Sequence, residues 1–489
     1  MPYKDLQDYL EALEKQNELE PIDKPVNPDL EIATLTNLVS KQCGPALLFK
    51  KLPGYDIPVL TNAFGSMKRM ILALKITDLD SLGQQVVEFI EAERLKSIVK
   101  KTYLKSVQEK LASNEPKMIQ NAPCQEIILQ AEEKIDLYSL PILKCWPRDG
   151  GRAITLPLVF TKHPETGIRN VGIYRMQVFD KKTTGMHWRP GSGGATHYLM
   201  AKKLGRKLEV AVAIGPDPAM TYAATAPLPP NIDETHFAGF LRKAPVEMVK
   251  CKTVDMEIPA CSQIILEGYI NPDDTRIEGP FGNHTGYYSP PEHYPVFHVT
   301  CITMRKDAIY PATVVGPPPA EDCFMAKVTE RLFLPFLRQT FPEIMDINMP
   351  IEGIFNNLAF VAIDKRYPGH AIKITNALWG LGPLMLHKII CIFDKDVNVQ
   401  DLSQVLWKLG NNIDPARDVF FSKGPVDTLN PATVLPSYGS KMGIDCTRKW
   451  KDEGLEKTWP PSMAMDKNVK KRMEALLKKI NMTNTIGNG

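Results

Sequence analysis

The chain has 489 residues, 44% of them hydrophobic and 24% charged, with a formal net charge of +3. That length exceeds what one hydrophobic core fills and predicts two or three domains, while the near-neutral balance gives no global reason to expect nucleic acid or an anionic membrane as partner. Nine cysteines are scattered without any CxxC spacing, which excludes a zinc ribbon or dithiol motif and fits reduced thiols in a cytosolic protein.

The start, Met1-Pro2-Tyr3-Lys4, lacks an apolar signal region, and no apolar run approaches the length of a membrane span. A soluble, cytoplasmic protein with no membrane span is expected. Residues 4–16 place Leu6, Tyr9, Leu10 and Leu13 on one helical face. Helical patterns near 28–41 and 78–97 flank short strand patterns at 46–49 and 59–60. Residues 1–122 therefore predict a small α/β domain, punctuated by Ser113-Asn114-Glu115-Pro116.

Over 123–316 the signal turns to strands at 155–160, 171–179, 208–214, 262–269 and 296–304, which predicts a mostly antiparallel barrel. Its glycine-rich loop Pro190-Gly191-Ser192-Gly193-Gly194 suits a cavity for a large ligand. Residues 317–460 alternate helix and strand. A helix from about Ala320, a strand at 358–363, a helix at 369–381 and a strand at 388–393 are expected. A helix capped by Asp401 and a closing strand at 419–422 complete a partly parallel sheet. In the tail, 461–489, Val469, Met473, Leu476, Leu477 and Ile480 share one face opposite six basic residues. In a near-neutral chain this reads as an arm packing on another domain or subunit.

Two stretches carry chemistry. In residues 276–288, Gly279, Pro280, Gly282 and Gly286 bracket Glu278, Asn283 and His284, the pattern of a fixed loop presenting polar side chains. A hydrogen-bonded surface turn is the plainer alternative on local grounds. Upstream, Asn170 offers an amide oxygen that suits a hard cation beside phosphate. Arg175 and Arg189 offer planar forks for carboxylate or phosphate, and the amides of 191–194 can line a phosphate. Neither the GxxxxGK[ST] loop nor the dinucleotide GxGxxG arrangement is present, and GxSxG and HExxH are absent.

Taken together, Asn170-Val171-Gly172-Ile173-Tyr174-Arg175, Asp233-Glu234-Thr235-His236-Phe237, Glu278-Gly279-Pro280-Phe281-Gly282, Asp414-Pro415-Ala416-Arg417-Asp418 and Gly439-Ser440-Lys441-Met442-Gly443 give a sequence that resembles the UbiD family of decarboxylases over essentially its whole length. The resemblance implies an N-terminal α/β domain, a split β-barrel of flavin-reductase type and a C-terminal α/β domain with a trailing oligomerisation helix. It implies a homodimer or homohexamer, in some cases with accessory subunits. The implied cofactor is prenylated FMN, supplied by a flavin prenyltransferase and bridged by a divalent cation, usually manganese, often with potassium nearby.

On the same basis Asn170 and Glu234 fall on the metal ligands. Ile173, Tyr174, Arg175, His187, Trp188, Arg189, Ser192, Gly193 and Lys441 fall on the cofactor contacts, and Arg175 and Glu278 on the catalytic pair. Strict strand alternation puts Asn170 and Arg175 on opposite faces, and a bulge at Gly172 would reconcile them.

Two departures from the family pattern stand out. Asn283 occupies the position of a catalytic acid, and an amide cannot supply a proton as a carboxyl does. Gly191 occupies the position of a metal-binding histidine. Both changes suit a bulky aromatic or polycyclic aromatic acid, acted on reversibly with CO2 as co-substrate or product, so that the enzyme could also run as an arene carboxylase. A decarboxylase of a quinone-precursor hydroxyaryl acid and a non-catalytic subunit of a carboxylase complex are the alternatives. A plain flavin reductase is disfavoured, since hydride transfer requires neither Arg175 nor Glu278.

Overall fold

The computed structural model describes residues 2–98, 114–433 and 435–479. The expected break at Ser113 and the last apolar position of the tail, Ile480, lie outside them. At the N-terminus, α1 (Leu6–Lys15) starts where Asp5 accepts from the Asp8 amide, and it buries Leu6, Tyr9, Leu10 and Leu13. β1 (Leu19–Ile22), α2 (Glu31–Lys41), β2 (Ala46–Phe49), β3 (Val59–Thr61), α3 (Met67–Leu74) and α4 (Leu79–Ile98) follow. The sequence pattern placed α1, α2, β2, β3 and α4, and it missed β1 and α3.

The central region is an antiparallel sheet. Its strands are β4 (Pro157–Lys162), β5 (Arg169–Ile173), β6 (Thr183–Gly185), β7 (Leu208–Ile214), β8 (Ile264–Glu278) and, after a small hairpin of β9 (Phe281–Gly282) and β10 (Tyr288–Ser289), β11 (Glu292–Met304). They pair in the order β6-β11-β8-β7-β4-β5. Both faces are covered: Val210, Val212 and Ile214 of β7 enter one core, and Ala211 and Ala213 the other. That double burial explains the unbroken apolar run at 210–214. β8 shifts register at Glu267/Gly268 and again between Ile270 and Thr275. At Gly268 a Cβ would stand 1.9 Å from the His298 carbonyl oxygen, so only glycine permits the approach. Two helices lie beside this sheet, α5 (Gly193–Lys203) and α6 (Glu234–Arg242), and β12 (Tyr310–Pro311) leaves it to pair with β3.

Three expectations need correction here. The strand expected over 171–179 is broken: β5 ends at Ile173, Tyr174 and Arg175 are unpaired, and Met176–Gln177 joins Ala153–Ile154 in a different sheet. No bulge sits at Gly172, which pairs in register with Val159. A change of sheet at Tyr174-Arg175 turns Arg175 away from the alternation of β5. Gly172 instead makes room for the folded-back Tyr174 ring, which a Cβ would meet at 2.4–2.7 Å. The supposed glycine loop at 190–194 is the entry to α5, capped by the Ser192 hydroxyl on the Ala195 amide.

In the C-terminal region, α7 (Glu321–Thr340), β13 (Ile344–Asn348), β14 (Leu358–Ile363), α8 (His370–Trp379), β15 (Ile389–Asp394), α9 (Leu402–Asn412), β16 (Val419–Pro425) and β17 (Tyr438–Asp445) form a helix-covered sheet ordered β13-β14-β15-β17-β16. Its inner pairs β14/β15 and β15/β17 are parallel. The strand at 419–422 does not close the set; it is the outer antiparallel partner of β17. α7 packs on α4, with Val328 and Leu332 in one core with Val86 and Ile90. In α10 (Lys467–Lys479) the apolar Val469, Met473 and Leu476 are exposed and Leu477 is half-buried. No helix among the described residues is long and apolar enough to cross a membrane.

Candidate active site

The change of sheet after β5 and the end of β8 bring Arg175 and Glu278 together. Arg175 Nε donates to Glu278 Oε1 at 2.7 Å, and the guanidinium lies over the Phe281 ring, 4.4 Å from its centre. The second carboxylate oxygen meets His187 Nδ1 at 2.8 Å. Glu278 is only 1% exposed. Burial pushes its carboxyl up, but the His187 hydrogen bond and the Arg175 charge outweigh it and hold the group below the usual carboxylate range. Burial also depresses the His187 imidazole, only partly offset by Glu278, so the ring is neutral at neutral pH. The ring is placed by its own amide, which donates to the Arg175 carbonyl at 3.2 Å, and by the Tyr294 ring 4.3 Å away.

Glu278 therefore ends a strand rather than sitting in a loop, and the β9–β10 hairpin that follows is tightly held. The Gly279 amide donates to Gln177 Oε1 and the Gly282 amide to Asp149 Oδ1, each at 2.8 Å. A Cβ on Gly282 would strike the Trp146 ring at 2.4 Å. Asn283 Oδ1 accepts from the Thr285 amide at 2.9 Å and its hydroxyl at 2.6 Å. A backbone donor fixes which end of the amide is oxygen, and it leaves Asn283 Nδ2 buried without a partner. His284 stacks on Phe355 and faces Asp427 at 3.7 Å, while Arg189 approaches the same carboxylate at 3.5 Å. Against its burial, His284 and Arg189 hold Asp427 far below the carboxylate range. Asp427, from the connection between β16 and β17, thus ties the C-terminal region to this site.

A second group of predicted residues gathers at the open edge of β5. Glu234, the first residue of α6, accepts from the outward-facing Val171 amide at 3.0 Å. Burial, with Asp233 beside it, pushes Glu234 up to about 8, a cost that a bound cation would relieve. Asn170 lies against the start of α5: a Cβ on Gly193 would fall 1.8 Å from its Oδ1. Its Nδ2 is buried and unpartnered, as is Trp188 Nε1 beside Gly194. Orphaned donors around a helix N-terminus form a setting for an anion such as phosphate, with Asn170 and Glu234 at hand for a hard cation. The residues present fit a phosphate-bearing cofactor and a divalent cation. Among the described residues no cluster of three or more His, Cys, Asp or Glu side chains offers a fuller cage.

Tyr174 and Ser192 belong to this second group, the Tyr174 hydroxyl accepting from the Gly194 amide at 3.4 Å. Ile173 is the last residue of β5. Lys441 is not brought to either group: its Nζ donates to the Met385 and His387 carbonyls, and burial lowers it to about 8. Sequence reasoning missed Asp427 and the pairing of His187 with Glu278. Asp427 sits in a Pro-rich connection that reads as an ordinary turn. His187 was expected as a cofactor contact, and nothing in local spacing says which distant acid an imidazole meets.

Three domain profiles match the chain, each described for 3-octaprenyl-4-hydroxybenzoate carboxy-lyase. The N-terminal domain matches residues 10–90, the Rift-related domain 117–318 and the C-terminal domain 323–446. An uncharacterized protein of Archaeoglobus fulgidus is 49% identical over 482 residues, 98% of this chain and 99% of the relative. Vanillic acid decarboxylase of Sedimentibacter hydroxybenzoicus, in its closed form, superposes with a TM-score of 0.84 at 28% identity, covering 98% of this chain and all of that one. The UbiD-class enzyme HmfF of Pelotomaculum thermopropionicum, in complex with FMN, superposes at 0.79 and 28% identity, covering 95% and 99%. An evolved dimeric form of HmfF is in complex with prFMN.

Proposed function

Since this chain belongs to the UbiD family of carboxy-lyases, we propose that it is a prenylated-FMN-dependent enzyme that removes CO2 from, or adds it to, an aromatic acid of the larger, polycyclic kind. The observation that carries the reading is the buried Arg175–Glu278 pair, a carboxylate kept ionised inside the protein beside a fork able to grip a second carboxylate. A merely structural subunit gains nothing from such a pair, since a buried ion pair is weak support for stability.

The flavin, when bound, supplies the electron sink that an aryl carbon needs as CO2 leaves. Asn170 and Glu234 would hold a divalent cation, manganese by family habit, against its phosphate at the start of α5, with potassium as a further occupant. Arg175 orients the substrate carboxylate. Glu278 holds and returns the proton that replaces CO2. The unpartnered Asn283 Nδ2 presents a neutral donor where an acid would repel a second anion. That neutrality and the open space at Gly191 support a large arene rather than a small hydroxyaryl acid. The hydroxyaryl alternative draws on the description of the matching domain profiles and on the vanillic acid decarboxylase likeness. The exposed α10 supports assembly into a homo-oligomer.

Expression beside a flavin prenyltransferase, followed by mass spectrometry and an absorption spectrum, should recover prenylated FMN. Exchange of 13CO2 into 2-naphthoate, benzoate and 4-hydroxybenzoate should favour the naphthoate. Exchange into none of them would defeat the reading, and preference for 4-hydroxybenzoate would give the substrate to the hydroxyaryl class.

A further inference from the structure

Glu278 has two close side-chain partners, and only one of them can carry a proton. Arg175 stays charged at any working pH and has no lone pair to offer. Asn283, five residues along, ends in an amide that neither gives nor takes a proton as an acid does. His187 holds Glu278 Oε2 at 2.8 Å through Nδ1. We propose that His187 is the relay that returns a proton to Glu278 in every turnover, a role that rests on the carboxy-lyase reading above.

An ionised Glu278 only accepts, so Nδ1 carries the hydrogen and Nε2 keeps a lone pair. In the decarboxylating direction a solvent proton joins Nε2 as the Nδ1 proton passes to Oε2. The ring ends neutral, with its hydrogen on Nε2, beside a neutral Glu278. Glu278 then gives that proton to the carbon CO2 has left and becomes a carboxylate again. The ring returns its hydrogen from Nε2 to Nδ1 by exchange with water. One proton is consumed for each CO2 released, and carboxylation runs the same steps backward.

The surroundings suit this task. His187 keeps 7% of its surface exposed, enough for contact with water but not for free rotation. Arg175 and Arg189 lower the imidazole and Glu278 raises it, while burial lowers it most, so the resting ring is neutral. Tyr294, against the ring, is pushed up by burial and nearby carboxylates and holds its own proton.

Two readouts test the relay in the full-length protein. With 15N-labelled imidazoles, His187 should appear at pH 7 as the neutral Nδ1–H tautomer and lose that bias in Glu278→Gln. An Nε2–H or charged ring in the wild type would overturn the proposal. In His187→Gln, whose amide can still donate to Glu278, 13CO2 exchange into the best acid of the panel, a step that moves no proton, should fall far less than deuterium transfer. Deuterium transfer from solvent to the arene should fall about a hundredfold, the scale of a lost proton-transfer group. Equal loss of both exchanges would make His187 a structural prop, and loss of neither would leave it no role; either result overturns the relay. If the wild type exchanges CO2 with none of the acids, the carboxy-lyase reading fails, and the imidazole spectrum still decides whether His187 is poised against Glu278.

Discussion

Arg175 and Glu278 meet across 103 residues of sequence, with Nε 2.7 Å from Oε1. The change of sheet after β5 and the end of β8 thus form one buried ion pair. Glu278→Gln removes the exchangeable proton while keeping the volume and one acceptor. Net turnover should fall by about two to four orders of magnitude, with flavin content by absorbance unchanged. Retained turnover would mean that another group moves the proton.

Removing Arg175 instead leaves the buried charge with only the neutral His187 ring beside it. Arg175→Met should destabilise the protein by roughly 3–5 kcal/mol at pH 7, the range for breaking a buried pair. The pH dependence has a definite sign. The folded Glu278 lies below its usual value, so its stabilisation is present above the carboxylate range and is lost as pH falls through the lower folded value. In Arg175→Met that carboxyl should move above its usual value. The deficit should then shrink as pH falls from 7 towards 5 and protonation relieves the orphaned charge. Urea unfolding at the two pH values checks this, and an equal deficit at both would contradict it.

The pair was legible in the sequence because each half sits in a long motif, and the fold brings the two side chains within hydrogen-bonding distance. The architecture was legible where elements are amphipathic, as in α1 and α9 with its Asp401 cap, or form an unbroken apolar run, as in β14. It was less so where context overrides local pattern. β17, in the middle of a sheet, reads Tyr-Gly-Ser-Lys-Met-Gly-Ile-Asp, and its glycines hide a strand that neighbouring backbones hold in place. Tyr174 and Arg175 lie in a run of strand-like residues, yet the chain changes sheet there. His187 and Asp427 act through residues about 90 and 140 to 240 positions away, beyond the reach of any periodicity.

Asn283 lends itself to a gain-of-function test. Asn283→Asp keeps an oxygen for Thr285 and exchanges the orphaned Nδ2 for a second oxygen. The new carboxylate adds a buried negative charge to the hairpin that follows Glu278, where burial should make it harder to ionise and let it serve as a second acid. The pH–rate profile should gain a limb, and 2-naphthoate should bind more weakly than to the wild type, read as a higher KM. An unchanged profile would place Asn283 outside the reacting groups.

Gly191 offers a test of the proposed cation site. Its φ of +83° lies in the left-handed region, and no atom comes within 4 Å of a Cβ built there. Gly191→His would therefore be strained by its backbone rather than by crowding, at a cost of about 1 kcal/mol. The added imidazole would join Asn170 and Glu234 two residues before the glycine that touches Asn170. Mn2+ should then bind at least about tenfold more tightly, in line with the gain of one ligand, as followed by loss of the free-ion EPR signal. Melting should be lower than wild type without metal and recover when Mn2+ is added. In Glu234→Gln the ion should bind more weakly than to the wild type, because the carboxylate that balances its charge is gone. If neither substitution alters Mn2+ affinity, the cation is held elsewhere, and the raised Glu234 carboxyl has to be explained by its contact with the Val171 amide and with Asp233 alone.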